Sequence, residues 1–195
     1  MPAETTPRIP PLEPPYTPDV ETMLRKWMGP ARDLEPLELF RILAVHSELA
    51  GCMGVLGGLL LGRPLVEPRE REIVIHRTTA LCGAEYEWGV HAVIFGPRVG
   101  LSEAELAATV RGAAGDPVWS ERDALLVRLC DELHDTADVS DELWGELASH
   151  WTHPELLELI VTAGWYRLIS QIVRSTRVDA EPWAARFPAT GDPPR

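Results

Sequence analysis

The stretch from Arg69 to His91 reads REREIVIHRTTALCGAEYEWGVH. Glu87 and His91 stand four residues apart, one helical turn along the same face, so a carboxylate there orients and charge-stabilises an imidazole. Glu72 and His76 repeat that spacing in the segment before Gly83. An antiparallel pair of helices turning at Gly83 brings Glu72 toward Glu87 and His91. Tyr86, Trp88, Val90, Val93, Ile94 and Phe95 make the second segment apolar on nearly every side, which predicts that its polar groups are buried and need partners. Buried titratable groups gathered in one turn mark a candidate site. A desolvated Glu72 is expected to have a raised pKa and to hold a proton for transfer.

Outward from this hairpin, apolar residues recur at helical spacing between short Gly, Pro, Ser or Asp breaks, and no alternating strand pattern stands out. The domain is expected to be all-α. A helix is predicted from Pro36 to about Ala50, a shorter one near Met53 to Leu61, and one opened by Pro68 that runs to about Cys82. Ala84 to Val99 follows as one helix. Ser102 with Glu105 forms a capping-box pair for a helix ending near Gly112. Ser120 caps a helix to about His134, Ser140 one to about His150, and Pro154 opens the last long helix. Residues 1–18 are proline-rich and read as an arm, either a loose tail or a strap on a neighbouring subunit. Residues 19–187 form the helical domain, and 188–195 read as a frayed end.

The chain has 195 residues, 45% hydrophobic and 25% charged, with a net charge of -12. That length suits one well-buried domain. The acidity argues against nucleic acid and against an anionic membrane surface, both of which are bound by clustered Lys and Arg. No stretch reads as a bilayer span, since the apolar run from Gly51 to Gly62 is interrupted by glycines. Cys52, Cys82 and Cys130 form neither a disulfide framework nor a zinc pattern, which points to a reducing cytoplasm.

The segment from Arg69 to Gly100 with the LSEAEL helix start, together with Phe40 to His46, DELH at Asp131 to His134, SDELW at Ser140 to Trp144 and the last helix through Gly164 and Tyr166, resembles the carboxymuconolactone decarboxylase and alkylhydroperoxidase D superfamily. The YEWxxH core is the strongest element. The resemblance implies an all-helical, alkylhydroperoxidase D-like domain built around a helical hairpin, assembled as a homotrimer or hexamer, with sites near subunit interfaces. The peroxidase branch carries a relay Glu followed by C-x-x-C-x-x-x-H. Aligning its His with His91 puts the relay acid on Glu72 but places Ala84 and Glu87 at the two cysteine positions. The redox dithiol is missing. Cys82 lies two residues earlier, about 200° around a helix from the first thiol position, and reads as a packing residue.

The decarboxylase branch also lacks a dithiol and handles small acidic lactones by proton transfer. The chain is therefore expected to be a cofactor-independent enzyme performing decarboxylation or related proton-transfer chemistry on a small organic acid or lactone. His91 is the expected general acid/base, Glu87 its orienting carboxylate and Glu72 a second relay. Tyr86, Trp88, Cys82 and Trp165 are the expected substrate contacts, with Arg69, Arg71 and Arg77 the nearby cations for a substrate carboxylate. Two other readings stand beside it: a thiol oxidoreductase or peroxidase using Cys82, and a non-catalytic helical oligomer that binds a small ligand. No metal is expected, because helical di-iron sites use Glu-x-x-His and additional carboxylates rather than two E-x-x-x-H pairs.

Overall fold

In the computed structural model, residues 6–29 and 34–189 are described. Helices run at Pro18–Met28 (α1), Glu38–Leu43 (α2), Ser47–Gly62 (α3), Pro68–Leu81 (α4), Glu85–Ile94 (α5), Glu103–Arg111 (α6), Glu121–Thr136 (α7), Asp141–Ala148 (α8) and His153–Thr176 (α9), with no strand among the described residues. Several boundaries follow local chemistry that is readable in the sequence. Pro occupies the first turn of α1, α4 and α9, where its missing N–H costs nothing. The Ser102 and Glu105 capping box is present. Ser120 accepts from Asp123 N at 3.1 Å and Ser140 from Leu143 N at 3.3 Å. Gly83 has φ of +63°, a left-handed conformation that glycine adopts without strain and that lets α4 turn back into α5.

Helix α4 is the axis of the molecule. It packs against α5, α6, α7 and α9, and every residue from Glu70 to Thr79 is buried. One apolar cluster joins Ile73 and Val74 of α4 to Leu126 and Leu129 of α7, Leu143 and Leu147 of α8, and Leu156 and Leu159 of α9. A second joins Met28, Leu39 and Met53 of the N-terminal helices to Tyr86 and Val90 of α5 and Ile169 and Val173 of α9. The candidate site lies where α4, α5 and α9 meet this second cluster.

Three segments differ from the sequence reading. Residues Pro18–Met28 form a helix where none was expected before Pro36. The expected helix from Pro36 to Ala50 is instead divided by a 3-10 turn at Ala44–His46, after which α3 continues unbroken through its glycines. Tertiary contact explains the latter. A Cβ at Gly54 would lie 2.3 Å from Trp27 Nε1, and one at Gly57 would lie 3.3 Å from Trp165 Cζ2, so these glycines make room for indole rings. The helix expected over Ala84 to Val99 likewise ends at Ile94 and passes into a 3-10 turn at Gly96–Val99.

The flanking segments pack on the chain itself. Arg8 N donates to Thr176 O at 2.7 Å and Leu12 N to Arg41 O at 3.2 Å. After α9 the chain crosses α5: Ala185 N donates to Gly89 O at 3.3 Å, Phe187 N donates to Glu85 Oε1 at 2.8 Å, and the Phe187 ring meets Trp88. The expected frayed end falls largely outside the described residues, as does the start of the proline-rich arm. By length and composition alone, Glu38–Gly62 and His153–Thr176 are long and apolar enough to cross a membrane, a test that buried core helices also pass. The second is the core helix α9.

Candidate active site

Glu72 points from α4 toward α5 and is completely buried. Its Oε2 lies 2.8 Å from His91 Nδ1, while its Oε1 accepts from Arg71 Nε at 3.3 Å and from Arg71 Nη2 at 3.1 Å. Arg71 is itself buried and also donates to Leu61 O. On the other side of the imidazole, His91 Nε2 lies 3.5 Å from Glu87 Oε1, an ion-pair distance that is long for a hydrogen bond. The three expected catalytic residues are thus together, but Glu72, not Glu87, makes the short contact that orients the His91 ring. Guanidinium, carboxylate, imidazole and carboxyl form one buried chain of alternating charge character.

Electrostatics follow from that order. Burial alone would lower the His91 pKa, but Glu72 and Glu87 outweigh it and raise it to about 9. His91 is therefore an imidazolium at neutral pH, with Nδ1–H directed to Glu72 and Nε2–H toward Glu87. Burial acts to raise the Glu72 pKa, yet the neighbouring His91 and Arg71 charges hold it below the usual glutamate value. This corrects the expectation of a protonated Glu72. It is the fixed anion of the site, and the movable proton sits on His91.

His76 takes no direct part in that chain. Its Nδ1 lies 2.7 Å from the Glu72 carbonyl oxygen, which can only accept, so Nδ1 carries the proton. Burial pushes the His76 pKa down to about 4, and its Nε2 is buried without a partner among the described residues. The ring packs edge-on against Trp88 and His91.

A cavity of 400 Å³ opens onto His91 and Glu87, toward the small end of ligand pockets. Trp27, Phe40, Met53, Trp165 and Ile169 give it an apolar wall, and Lys26 lies among its lining residues as an exposed cation. Phe95 stacks on His91 at 4.7 Å between ring centroids and Tyr166 meets it edge-on at 5.1 Å. Burial and the nearby Glu87 and Glu72 push the Tyr166 phenol pKa well up, so it stays protonated and can donate. Among the described residues no group of three or more His, Cys, Asp or Glu side chains is arranged to hold a metal ion.

Of the expected substrate contacts, only Trp165 lines this cavity. Tyr86 donates to Glu181 Oε1 at 2.7 Å and accepts from Leu39 N at 3.1 Å, tying α5 to α2 and the C-terminal segment. Trp88 donates to Thr109 Oγ1 at 2.9 Å. Cys82 lines a separate depression. The aromatic ring toward the cavity is set by the helix rotation that aims His91, and Tyr86 and Trp88 fall on other faces. Among the expected cations, Arg69 pairs with Glu105 and Asp123, Arg71 with Glu72, and Arg77 with Asp131. None lines the cavity. Lys26, Phe95 and Tyr166 had no assigned site role in the sequence reading; for the first two, the signal was an amphipathic PDVETMLRKWM segment and a Phe one turn beyond His91.

No family model and no curated protein matches the sequence. Solved structures do match its fold. A peroxidase-related protein from Silicibacter sp. TM1040 superposes with a TM-score of 0.76 at 14% identity, covering 95% of this chain and 100% of its own. The debrominase Bmp8 gives a TM-score of 0.75 at 13% identity, with 90% of this chain and 92% of that one covered. An Agrobacterium tumefaciens protein of unknown function, described as a putative antioxidant defence protein AhpD, gives 0.64 at 19% identity over 70% of this chain and 93% of its own. The chain has the alkylhydroperoxidase D-like fold. This all-helical fold is the one implied by the resemblance of residues 69–100 to the carboxymuconolactone decarboxylase and alkylhydroperoxidase D superfamily.

Proposed function

We propose that the chain is a cofactor-independent enzyme that carries out decarboxylation or a related proton transfer on a small, largely apolar organic acid or lactone. The observation that carries this reading is the Glu72 to His91 contact of 2.8 Å placed at the end of an apolar cavity. An imidazolium held there is a general acid whose Nε2 proton faces the ligand space. In a decarboxylation the bond to the carboxyl carbon breaks, its electron pair remains on the substrate as an enolate, and CO2 leaves. His91 Nε2 then delivers its proton to the substrate carbon that lost CO2, while the Nδ1 proton stays on His91, directed at the Glu72 carboxylate. The Tyr166 hydroxyl is the neutral donor for the developing enolate oxygen. Lys26 at the rim is the cation available to a substrate carboxylate.

The apolar wall supports a ring compound with few polar groups. A Cys-to-Ala variant of the debrominase Bmp8 was crystallised with 2,3,4-tribromopyrrole, a small ring that matches this chemistry in size and polarity. The thiol alternative is less well supported, because Cys82 lies outside the cavity that holds His91. A non-catalytic ligand binder is the second reading favoured by the same cavity. His91→Gln separates the two: an enzyme loses turnover of a panel of small cyclic acids while still binding them. If no acid in the panel is turned over and ligand affinity alone responds, the binder reading replaces the enzyme.

Assembly as a homotrimer or hexamer belongs to the same proposal. Val45, Leu49, Val55 and Leu59 leave an exposed apolar strip along α3 and the turn before it, and such strips mark interaction surfaces. Cytoplasmic residence is consistent with three cysteines, none of them in a disulfide.

A further inference from the structure

A second depression, of 610 Å³, shares no lining residue with the His91 cavity. Helix α9 contributes to both, with Trp165, Tyr166 and Ile169 on one side and Arg167, Ser170, Gln171 and Arg174 on the other. These sets are separated by roughly 140° around the helix axis. Arg8, Leu81, Cys82, His134 and Ser175 complete the second lining, which contains no Asp or Glu among the described residues.

Each of its three arginines is anchored by a helix end instead of a carboxylate. Arg174 Nη1 donates to Cys82 O at 2.7 Å, just beyond α4. Arg167 Nη1 donates to His134 O at 3.0 Å in the last turn of α7, and Arg8 Nη1 to Ser175 O at 3.3 Å in the last turn of α9. Capping these carbonyls is a structural role, and it uses one nitrogen of each guanidinium. Other N–H donors of the planar forks remain available. Each helix end carries about half a negative charge, so three guanidiniums leave the depression positive by roughly one and a half charges. By contrast, Arg41, Arg69, Arg71, Arg77 and Arg122 all pair with carboxylates. Among the described residues these three arginines have no carboxylate partner, in a chain of net charge -12.

We propose that this depression binds a small, multiply charged oxyanion, a phosphorylated or polycarboxylate molecule, through Arg8, Arg167 and Arg174. The guanidinium forks match both oxyanion types. Calorimetric titration of the full chain with pyrophosphate and, separately, with citrate distinguishes the two sources. Binding of pyrophosphate alone assigns a phosphate ligand, binding of citrate alone a carboxylate ligand, and binding of both a general oxyanion site; each supports the proposal. Arg174→Gln should weaken binding about tenfold, equal to 1.4 kcal/mol. Because that change also removes a helix cap, Gln171→Glu provides the second test. It places a carboxylate among the arginines, touches no capping bond, and should weaken binding by a similar factor while thermal unfolding stays unchanged. Absence of binding for both anions, or binding that Gln171→Glu leaves untouched, overturns the proposal.

Discussion

Glu72 and His91 are 19 residues apart in the chain and 2.8 Å apart in space, and the pH behaviour of the protein follows from that contact. Because the folded His91 pKa is raised to about 9, its contribution to stability is fully present below the unfolded value near 6.5 and is lost as pH rises through 9. Two effects work on the acid side. The lowered Glu72 pKa contributes stability that disappears as the carboxylate is protonated, and His76, buried neutral with its pKa near 4, resists the proton that the unfolded chain accepts. Urea unfolding should therefore show greatest stability near pH 6.5, with His91→Gln abolishing the decline between 6.5 and 9. A flat alkaline limb in the parent protein would contradict this assignment. Turnover should hold through neutral pH and fall as pH rises through about 9, the folded His91 value, since it needs the Nε2 proton.

The two carboxyl groups at His91 also separate by substitution. Glu72→Gln leaves Arg71 buried without its anion and should cost about 3–5 kcal/mol, with the His91 pKa falling as read by the imidazole NMR titration. Glu87→Gln removes only a 3.5 Å contact at the cavity wall. It should cost less than half as much stability, yet lower kcat and move the alkaline limb of the pH-rate profile to lower pH. Equal stability losses for both variants would mean that Glu72 does not hold the site together.

Among the elements, the glycines of α3 and α5 carry opposite expectations. A Cβ at Gly89 would lie 2.0 Å from Ala185 O, a backbone atom that cannot swing aside. Gly89→Ala should displace the segment after α9, exposing Trp88 beneath Phe187, and destabilise the fold by about 1–3 kcal/mol. Gly51 has nothing within 4 Å of its would-be Cβ. Gly51→Ala should stabilise α3 by up to about 1 kcal/mol through helix propensity. Chemical denaturation with tryptophan fluorescence reads both, and the same sign for the two substitutions would undo the packing argument.

For the whole molecule, the exposed strip on α3 sets the expectation for assembly. Val55, 76% exposed, is the most exposed large apolar residue among the described residues. Light scattering should give a mass of three or six times 21.6 kDa, and Val55→Glu should shift the population toward single chains without changing helical content. A single chain at micromolar concentration in the parent protein would refute the assembly. Removing residues 1–18 has a different expected result. Arg8 and Leu12 bond to their own α9 and α2, so the deletion should lower the unfolding temperature whether or not the mass changes.

The helical class, the hairpin at Gly83, the capping residues and the pairing of Glu87 with His91 were legible in the sequence because each depends on short-range physics: period, turn chemistry and i, i+4 spacing; the hairpin then carries Glu72 to the same pair. The roles within the group were not. Which oxygen comes within 2.8 Å of which nitrogen depends on how α4 rotates against α5, and burial with Arg71 and His91 then turns Glu72 from an expected proton store into a fixed anion. Phe95 stacks on His91 from one turn along α5, but the packing of α5 on its neighbours turns Tyr86 toward Glu181 and Trp88 toward Thr109. Packing between helices also decided that α3 runs through its glycines, since the room they leave is filled by Trp27 and Trp165 from distant parts of the chain. Local spacing determines which residues can share a face. Only the contacts among helices determine which neighbour each charged or aromatic group meets, and the stabilisation of a charge depends on that neighbour.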